Sequence, residues 1–327
     1  MKSGAARNVR HLYLDEAVCI IRKAKGAFMG VLPQGMEILP PSDDRVFKLL
    51  LTSDEESKPA LADLISATIG EPVTEVVVRN NELPSNDTEE KDQRFDVNCI
   101  MDQNRQTDVE MQASYIQETP GGIHENLKGK SIYYLCDLHS SQSARGKKRY
   151  DKLSRTYQIT FCSYTVFPEK EGFFHSFSLR NDEDNELLTD AIRIIFVELS
   201  KLREVLKKPT CDMTDLEKWA VFLRYANETE HRDIVNEIIA SKEEIEVAAN
   251  LLMGISKDER ERAVFRSRRM YRTDYESDMA TAWDNGKNEG KIEIARKLLK
   301  RGRPVEEISE DTGLSIEEIE TLRRKDD

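Results

Sequence analysis

The chain has 327 residues, of which 39% are hydrophobic and 34% charged, and its formal net charge at pH 7 is -12. A chain of this length exceeds the usual size of a single core, so about two domains are expected. The negative charge argues against a protein that coats nucleic acid through bulk electrostatics. No apolar stretch approaches the roughly 20 residues that span a bilayer, so we expect a cytoplasmic protein without a membrane partner.

Motifs for common cofactors are missing from the sequence. Its five cysteines are scattered along the chain, without a CxxC pair or a nearby histidine pattern that is typical of zinc sites. We interpret them as buried thiols: Cys19, Cys99, Cys136, Cys162 and Cys211. Neither a Walker A sequence nor GxGxxG is found, which disfavours a nucleotide cofactor.

Residues 1–41 are interpreted as an N-terminal extension with a short helix at Leu14–Lys25. Asp43 and Asp44 then cap a predicted helix, and a second one begins at Pro59 and stops at Gly70. The elements predicted next are a strand at Val73–Arg79, a hairpin at Arg94–Ser114 with its turn at Asp102–Gln106, a helix carrying Leu127, Ile132, Leu135 and Leu138, strands at Tyr157–Phe167 and Phe173–Leu179, and a helix at Leu187–Lys207. This order predicts an α/β fold in which helices flank a mixed central sheet, within a domain spanning residues 42–210.

The remainder of the chain is predicted to be all-α. Residues 211–279 form a helical region whose expected core is Trp219, Phe222, Leu223, Ile234, Ile238, Ile239, Leu251 and Leu252. Residues 280–327 form a helical tail in which two short helices meet at Thr312–Ser315, like half of a helix-turn-helix. The second of these helices is acidic, which favours assembly or docking over sequence readout. We therefore expect self-association through the C-terminal helices.

The predicted hairpin concentrates carboxylates. Side chains of a strand alternate between two faces, so Asp108, Glu110 and Gln112 share one face and the neighbouring strand can present Asp96 beside them. Magnesium is held by one or two carboxylates while substrate phosphate supplies further oxygens. Asp96 and Glu110 fit that role. Asp108 either supports this site or is a surface residue beside the turn.

A basic segment follows the hairpin. Between residues 128 and 155 the chain carries eight basic and two acidic residues, a local charge of +6. A phosphate backbone can bind there, although a solvated basic surface is the alternative. Tyr133 and Tyr134 lie within this segment and are interpreted as core residues rather than base-stacking ones.

Several separate blocks resemble one protein family. These are Asp44, Phe47 and Lys48 near the start, the segments LADLISATIG, FDV, VEMQ, SIYYL, HSFSL and FVELSKL, and the pair Gly146 and Tyr150. Over Ser42–Leu206 the chain resembles the PD-(D/E)XK nuclease superfamily, specifically the Rpn family of recombination-promoting nucleases and transposases. The resemblance implies a restriction-endonuclease-like core.

The resemblance also implies roles for individual residues. Asp96 and Glu110 correspond to the metal-binding acids, and Gln112 stands where most of the superfamily has Lys; these three are the predicted catalytic residues. The implied activity is a Mg²⁺-dependent DNA endonuclease, with Mn²⁺ as a substitute, acting in recombination or on mobile elements. The DNA-binding residues that we predict are Lys128, Lys130, Lys147, Lys148 and Arg149, and Lys130 can also replace the charge that Gln112 lacks.

Other functions stay open at this stage. Because Gln112 is neutral, the chain could be a catalytically weak DNA-binding or oligomeric regulatory protein that keeps the nuclease fold. A nuclease directed at RNA, or a toxin nuclease, would use the same site.

Overall fold

A computed structural model describes residues 31–53, 55–79, 82–83, 93–94, 96–113, 123–142 and 150–326. The described residues form two compact units, which divide between Arg262 and Ala263. Among the described helices, none is both long and apolar enough to cross a membrane. The predicted helix at Leu14–Lys25 lies outside the described residues, and the predicted domain boundaries at residues 210 and 279 stay a prediction.

The helices of the first unit begin and end largely at the residues that the sequence indicates. Asp43 caps the first helix by accepting hydrogen bonds from the backbone N–H groups of Arg45 and Val46, and Gly70 ends the second in a left-handed conformation with φ 73°. The helices are α1 Asp44–Thr52, α2 Lys58–Ile69, α3 Ile123–Ser140, α4 Asp215–Tyr225, α5 Arg232–Ser241, α6 Glu243–Lys257 and α7 Glu259–Lys300, which continues into the second unit.

A six-stranded mixed sheet lies at the centre of the first unit. Its strands are β1 Val76–Val78, β4 Val97–Met101, β5 Gln106–Gln112, β6 Thr156–Cys162, β7 Phe174–Arg180 and β8 Leu187–Glu198, and β2 Glu82–Leu83 pairs with β3 Gln93–Arg94 separately. The order across the sheet is β1-β4-β5-β6-β8-β7, with β5, β6 and β8 parallel and the other pairs antiparallel. The predicted α/β class with a mixed sheet is confirmed.

Helices cover both faces of this sheet. On one face, Phe47 of α1 contacts Phe161 of β6, with ring centroids 5.9 Å apart. On the other face, Leu127 of α3 packs in an apolar cluster with Cys162 and Phe196. Both faces of the central strands are therefore buried, which removes roughly 25 cal/mol of unfavourable hydration for each Å² of apolar surface covered.

The predicted helix at Leu187–Lys207 is wrong, because residues 187–198 form β8 and only short 3₁₀ turns follow. β8 pairs with β6 on one side and with β7 on the other. Its last four residues, Ile195–Glu198, are buried on both faces. A strand buried in this way has a continuous apolar run instead of an alternating one, and such a run cannot be distinguished from a buried helix by periodicity.

The helical region after the sheet contributes its own core. Of the residues predicted for that core, six are buried and two, Ile234 and Leu251, are half-buried. The indole N–H of Trp219 donates to Asp63 of α2 at 2.7 Å, and Lys242 forms an ion pair with the same carboxylate at 3.0 Å. These contacts join α4 and α6 to the helices beside the sheet.

The second unit ends in two short helices, as predicted. They are α8 Val305–Thr312 and α9 Ile316–Asp326, and Gly313 ends α8 with φ 67°. Their small core consists of Ala295, Ile308, Leu314 and Ile319. Ser315 and Glu318 exchange hydrogen bonds in a capping arrangement at the start of α9.

The turn between β4 and β5 is fixed by Asp102. Its carboxylate accepts hydrogen bonds from the backbone N–H groups of Thr74 and Glu75 at 2.8 and 2.9 Å, and from the Thr74 hydroxyl at 3.0 Å. These bonds, led by the Thr74 N–H, lower the pKa of Asp102 below its ordinary value. The charged form of Asp102 therefore stabilises the folded turn.

We expect Asp102→Asn to lower the free energy of unfolding at pH 7 by about 1 kcal/mol, because bonds to a charged acceptor are lost. A group with a lowered folded pKa contributes its stability above its unfolded pKa and loses it as pH falls through the folded pKa. The difference between wild type and variant in urea unfolding should therefore shrink in acid. Asp182→Asn, at an exposed residue, is the control; a difference that stays constant with pH would contradict this role.

Candidate functional site

The β4–β5 pair brings the predicted acids together. Val97 lies opposite Val109 in this antiparallel pair, and Asp96, immediately before β4, accepts a hydrogen bond from the backbone N–H of Met111 at 3.1 Å. Asp96 therefore lies beside Glu110. Glu110 and Gln112 point to the same side of β5, and the Gln112 amide donates to Glu110 Oε2 at 3.2 Å.

Helix α3 covers this face and adds a cation. The ammonium of Lys130 donates to Glu110 Oε2 at 2.8 Å. The Glu110 side chain is 2% exposed, whereas 34% of the Lys130 side chain remains accessible. A buried carboxylate without a partner is strongly destabilising, so the ion pair compensates for the burial of Glu110.

Burial is the main influence on the pKa values of Glu110 and Asp96. It raises the pKa of Glu110 above its ordinary value, although the charge and hydrogen bond of Lys130 oppose the increase. Burial likewise raises the pKa of Asp96, against the Met111 N–H and the Lys130 charge. For Lys130, burial favours the neutral form, but attraction to Glu110 outweighs it and raises the pKa. A cation bound beside Asp96 and Glu110 would favour their charged forms and so oppose the effect of burial.

The donor set fits a hard divalent cation. Both hydrogen bonds to Glu110 reach Oε2, and within the described part of the chain no partner reaches Oε1. Across the described ranges, no group of three or more His, Cys, Asp or Glu side chains is arranged to hold an ion. Two carboxylates are nevertheless the set that Mg²⁺ takes when water and substrate phosphate supply its other oxygens.

Asp108 is an interior residue. It is fully buried and accepts a hydrogen bond from the Gln158 amide of β6 at 2.8 Å. The interpretation of Asp108 as a surface residue is therefore wrong. Burial, and then repulsion by Glu110, raises the pKa of Asp108 well above its ordinary value.

The predicted DNA-binding residues are only partly described. Lys128 lies on α3, forms an ion pair with Glu125 at 2.6 Å and places its ammonium 5.3 Å from the ring centroid of Phe167. Lys130 points to Glu110. Lys147, Lys148 and Arg149 lie outside the described residues.

Three residues near the site, Tyr134, Asp44 and Lys48, were not among the predicted catalytic or DNA-binding residues. The ring of Tyr134 lies 4.9 Å from the Lys130 ammonium, whereas Tyr133 is exposed and its interpretation as a core residue is wrong. The charges of Asp44 and Lys48 on α1 act on Asp96, the first raising its pKa and the second lowering it. Their four-residue spacing, which places them on one side of a helix, was the available signal.

A scan against family models matched residues 41–282 to the PD-(D/E)XK nuclease family transposase model. The chain belongs to this family. Searches of curated proteins and of solved structures gave no match. The family supports a nuclease-like function acting on nucleic acid, and nucleases of this superfamily typically use divalent metals.

The burial of charge predicts that Asp108→Asn stabilises the protein in metal-free buffer. Asp108 has a raised folded pKa, so the folded state binds its proton more tightly and stability falls as pH rises through the window between the two pKa values. At pH 8 the variant should unfold at a higher temperature, by roughly 2–4 °C for each kcal/mol of repulsion removed.

The increase in unfolding temperature caused by Asp108→Asn should diminish in acid, where the wild-type carboxyl is protonated. Differential scanning calorimetry from pH 4 to pH 8, on the order of one measurement per pH unit, tests this dependence. Asp182→Asn removes the same charge from an exposed loop and should leave the midpoint unchanged. An Asp108→Asn midpoint below wild type at pH 8 would refute the electrostatic explanation.

Proposed function

We propose that this protein is a metal-dependent DNA endonuclease whose reaction centre consists of Asp96, Glu110 and Gln112. The observation that supports the proposal best is the convergence of Asp96, Glu110 and Lys130, from three separate elements, on one side of the sheet. Asp96 and Glu110 would hold Mg²⁺, or Mn²⁺ in its place.

Each residue then has a separate chemical task. A bound divalent ion lowers the pKa of water and neutralises charge on the phosphate. Glu110 accepts a proton through its carboxylate, whose pKa burial raises above its ordinary value. The Gln112 amide orients water by hydrogen bonds, but it cannot supply positive charge. Lys130 supplies that charge, because its ammonium lies within hydrogen-bonding distance of the same carboxylate.

Binding of DNA is assigned in this proposal to the basic segment after the hairpin. Lys128 and Lys130 lie on α3, and the proposal adds Lys147, Lys148 and Arg149, so that the +6 segment meets phosphate close to the reaction centre. The proposal includes the cytoplasmic location and the role in recombination or on mobile elements. It also includes self-association through the C-terminal helices, which lie in a different part of the chain from the candidate site.

A second candidate function is a catalytically weak DNA-binding or regulatory protein. Gln112 favours it, because a neutral amide stands where charge is needed. The Lys130–Glu110 ion pair favours it too, since the ammonium competes with a metal for Oε2. The two functions differ in whether phosphodiester bonds are cut.

Incubation of the purified protein with supercoiled plasmid and Mg²⁺ should nick or linearise the DNA. We expect EDTA to abolish cleavage, and Asp96→Asn and Glu110→Ala to slow it by at least about 100-fold, because each removes a ligand and a preorganised charge. Glu183→Gln, at an exposed residue of the β7–β8 turn, is a matched control that should cleave at the wild-type rate.

Circular dichroism of each variant shows that the fold is kept. Intact plasmid in both Mg²⁺ and Mn²⁺, together with a gel shift of duplex DNA, would refute the endonuclease proposal and support the DNA-binding alternative. Cleavage of RNA alone would reassign the substrate while keeping the site.

Substitutions at the two lysines of α3 should separate catalysis from binding. We expect Lys130→Met to slow single-turnover cleavage by about 100-fold even at saturating protein, where a loss of DNA affinity does not affect the rate, because it removes charge at Glu110. Lys130→Arg should recover part of the rate. Lys128→Met should instead weaken binding and reduce the salt dependence of log K by about one. Wild-type cleavage by Lys130→Met would contradict the role of this lysine.

A further inference from the structure

The long helix α7 presents a stripe of aromatic and apolar side chains that no other described element covers. Residues 273–290 are all exposed. Tyr271, Tyr275 and Met279, spaced four residues apart on one side of the helix, are 73%, 42% and 41% exposed. A solvated helix normally carries polar residues on every exposed side, so this stripe indicates an interaction surface.

The charges beside the stripe are segregated along the helix. Residues 263–272 contain four arginines and no acid, whereas residues 273–286 contain four acids and no lysine or arginine. Arg268 and Arg272 are like charges four residues apart, and so are Asp274 and Asp278. Such pairs destabilise an isolated helix. The order of the charges is therefore a feature that a second helix can complement.

We propose that α7 pairs with α7 of a second copy of this chain in antiparallel orientation, about an axis near Thr273. The basic block of each copy then lies beside the acidic block of the other. Pairing about this residue sets Tyr271 opposite Tyr275 of the second copy, and Arg268 opposite Asp278 of the second copy. The paired segment, residues 263–283, is three heptads long, and its length is about 30 Å.

Charge complementarity favours the antiparallel orientation, and it favours a second copy of this chain as the partner. A parallel pair in register would place arginines against arginines and acids against acids, which opposes association. DNA would match the basic block but be repelled by the acidic block one turn away. A second copy in antiparallel orientation satisfies both blocks at once, and an interface of this kind is self-complementary, as a two-fold axis requires.

Charge reversal in the full-length chain tests the pairing. Sedimentation equilibrium at about 50 μM protein and low salt should show a dimer. Arg268→Glu with Arg272→Glu, and separately Asp274→Lys with Asp278→Lys, should each weaken dimerisation at least tenfold, roughly the effect of apposed like charges. All four substitutions in one chain should restore the dimer.

A matched control lies on the same helix outside the paired segment. Lys297→Glu with Lys300→Glu changes the net charge as much as the arginine pair does and should leave dimerisation unchanged. Circular dichroism confirms that every variant keeps its helix content. A monomeric wild type would overturn the proposal, and so would a dimer that is insensitive to both reversals.

Cysteine cross-linking tests the orientation. In a background with Cys19, Cys136 and Cys211 replaced by Ser, oxidation of a mixture of Val264→Cys and Ala282→Cys chains should give a disulfide-linked dimer. Either variant alone should remain mostly unlinked. Efficient linking of each variant with itself would show a parallel pair and overturn the antiparallel assignment.

A gel shift with a 30-base-pair duplex, about three turns of DNA, distinguishes the other partner. Should the arginine reversal abolish duplex binding while the aspartate reversal leaves the oligomeric state unchanged, the basic block binds DNA and the pairing is wrong. The proposal does not depend on the nuclease reaction, because Glu110→Ala should dimerise like wild type.

Discussion

The burial of Glu110 together with its compensation by Lys130 is the interaction on which the candidate site depends. A carboxylate that is 2% exposed has lost its hydration, and that penalty amounts to several kcal/mol per ion unless a partner restores it. The partner comes from α3, which packs on the sheet through Leu127 in its cluster with Cys162 and Phe196. Apolar packing of one helix therefore sets the charge state of the site, and loss of that packing would leave an uncompensated buried acid.

Strand β5 has two different faces, and each needs a different neighbour. Val109 and Met111 are buried on the side where α1 and its Phe47 pack, whereas Asp108 and Glu110 are buried beneath α3. A buried polar face is stable only when its groups find partners. Gln158 from β6 donates to one oxygen of Asp108, and Lys130 from α3 donates to one oxygen of Glu110. The parallel pairing of β5 with β6 is thus part of the site's electrostatics as well as of its framework.

The local period of the strands was sufficient to predict which residues meet at β4 and β5. Asp96, Glu110 and Gln112 could be grouped because side chains alternate every two residues, although their chemical roles stay a prediction. The complete burial of Asp108 could not be predicted, because alternation gives a face and not the depth of the helix above it. β8 was predicted as a helix because its burial on both faces removes the alternation of polar and apolar residues that identifies a strand. The contact of Lys130 depends on how α3 is rotated on the sheet, which only packing determines.

An acidic protein that acts on DNA requires positive charge placed locally. At physiological ionic strength, charges further than about 8 Å from a phosphate are largely screened, so the net charge of -12 matters less than the groups beside the candidate site. Lys130 meets this condition, because it lies within hydrogen-bonding distance of Glu110 and keeps a third of its side chain accessible. The same screening applies to α7, where a basic block is followed along the helix by an acidic block. Only a partner that contacts both blocks is attracted by both. Because electrostatic attraction is screened over short distances, the order of charges along α7 selects its partner, and the total charge of the protein does not.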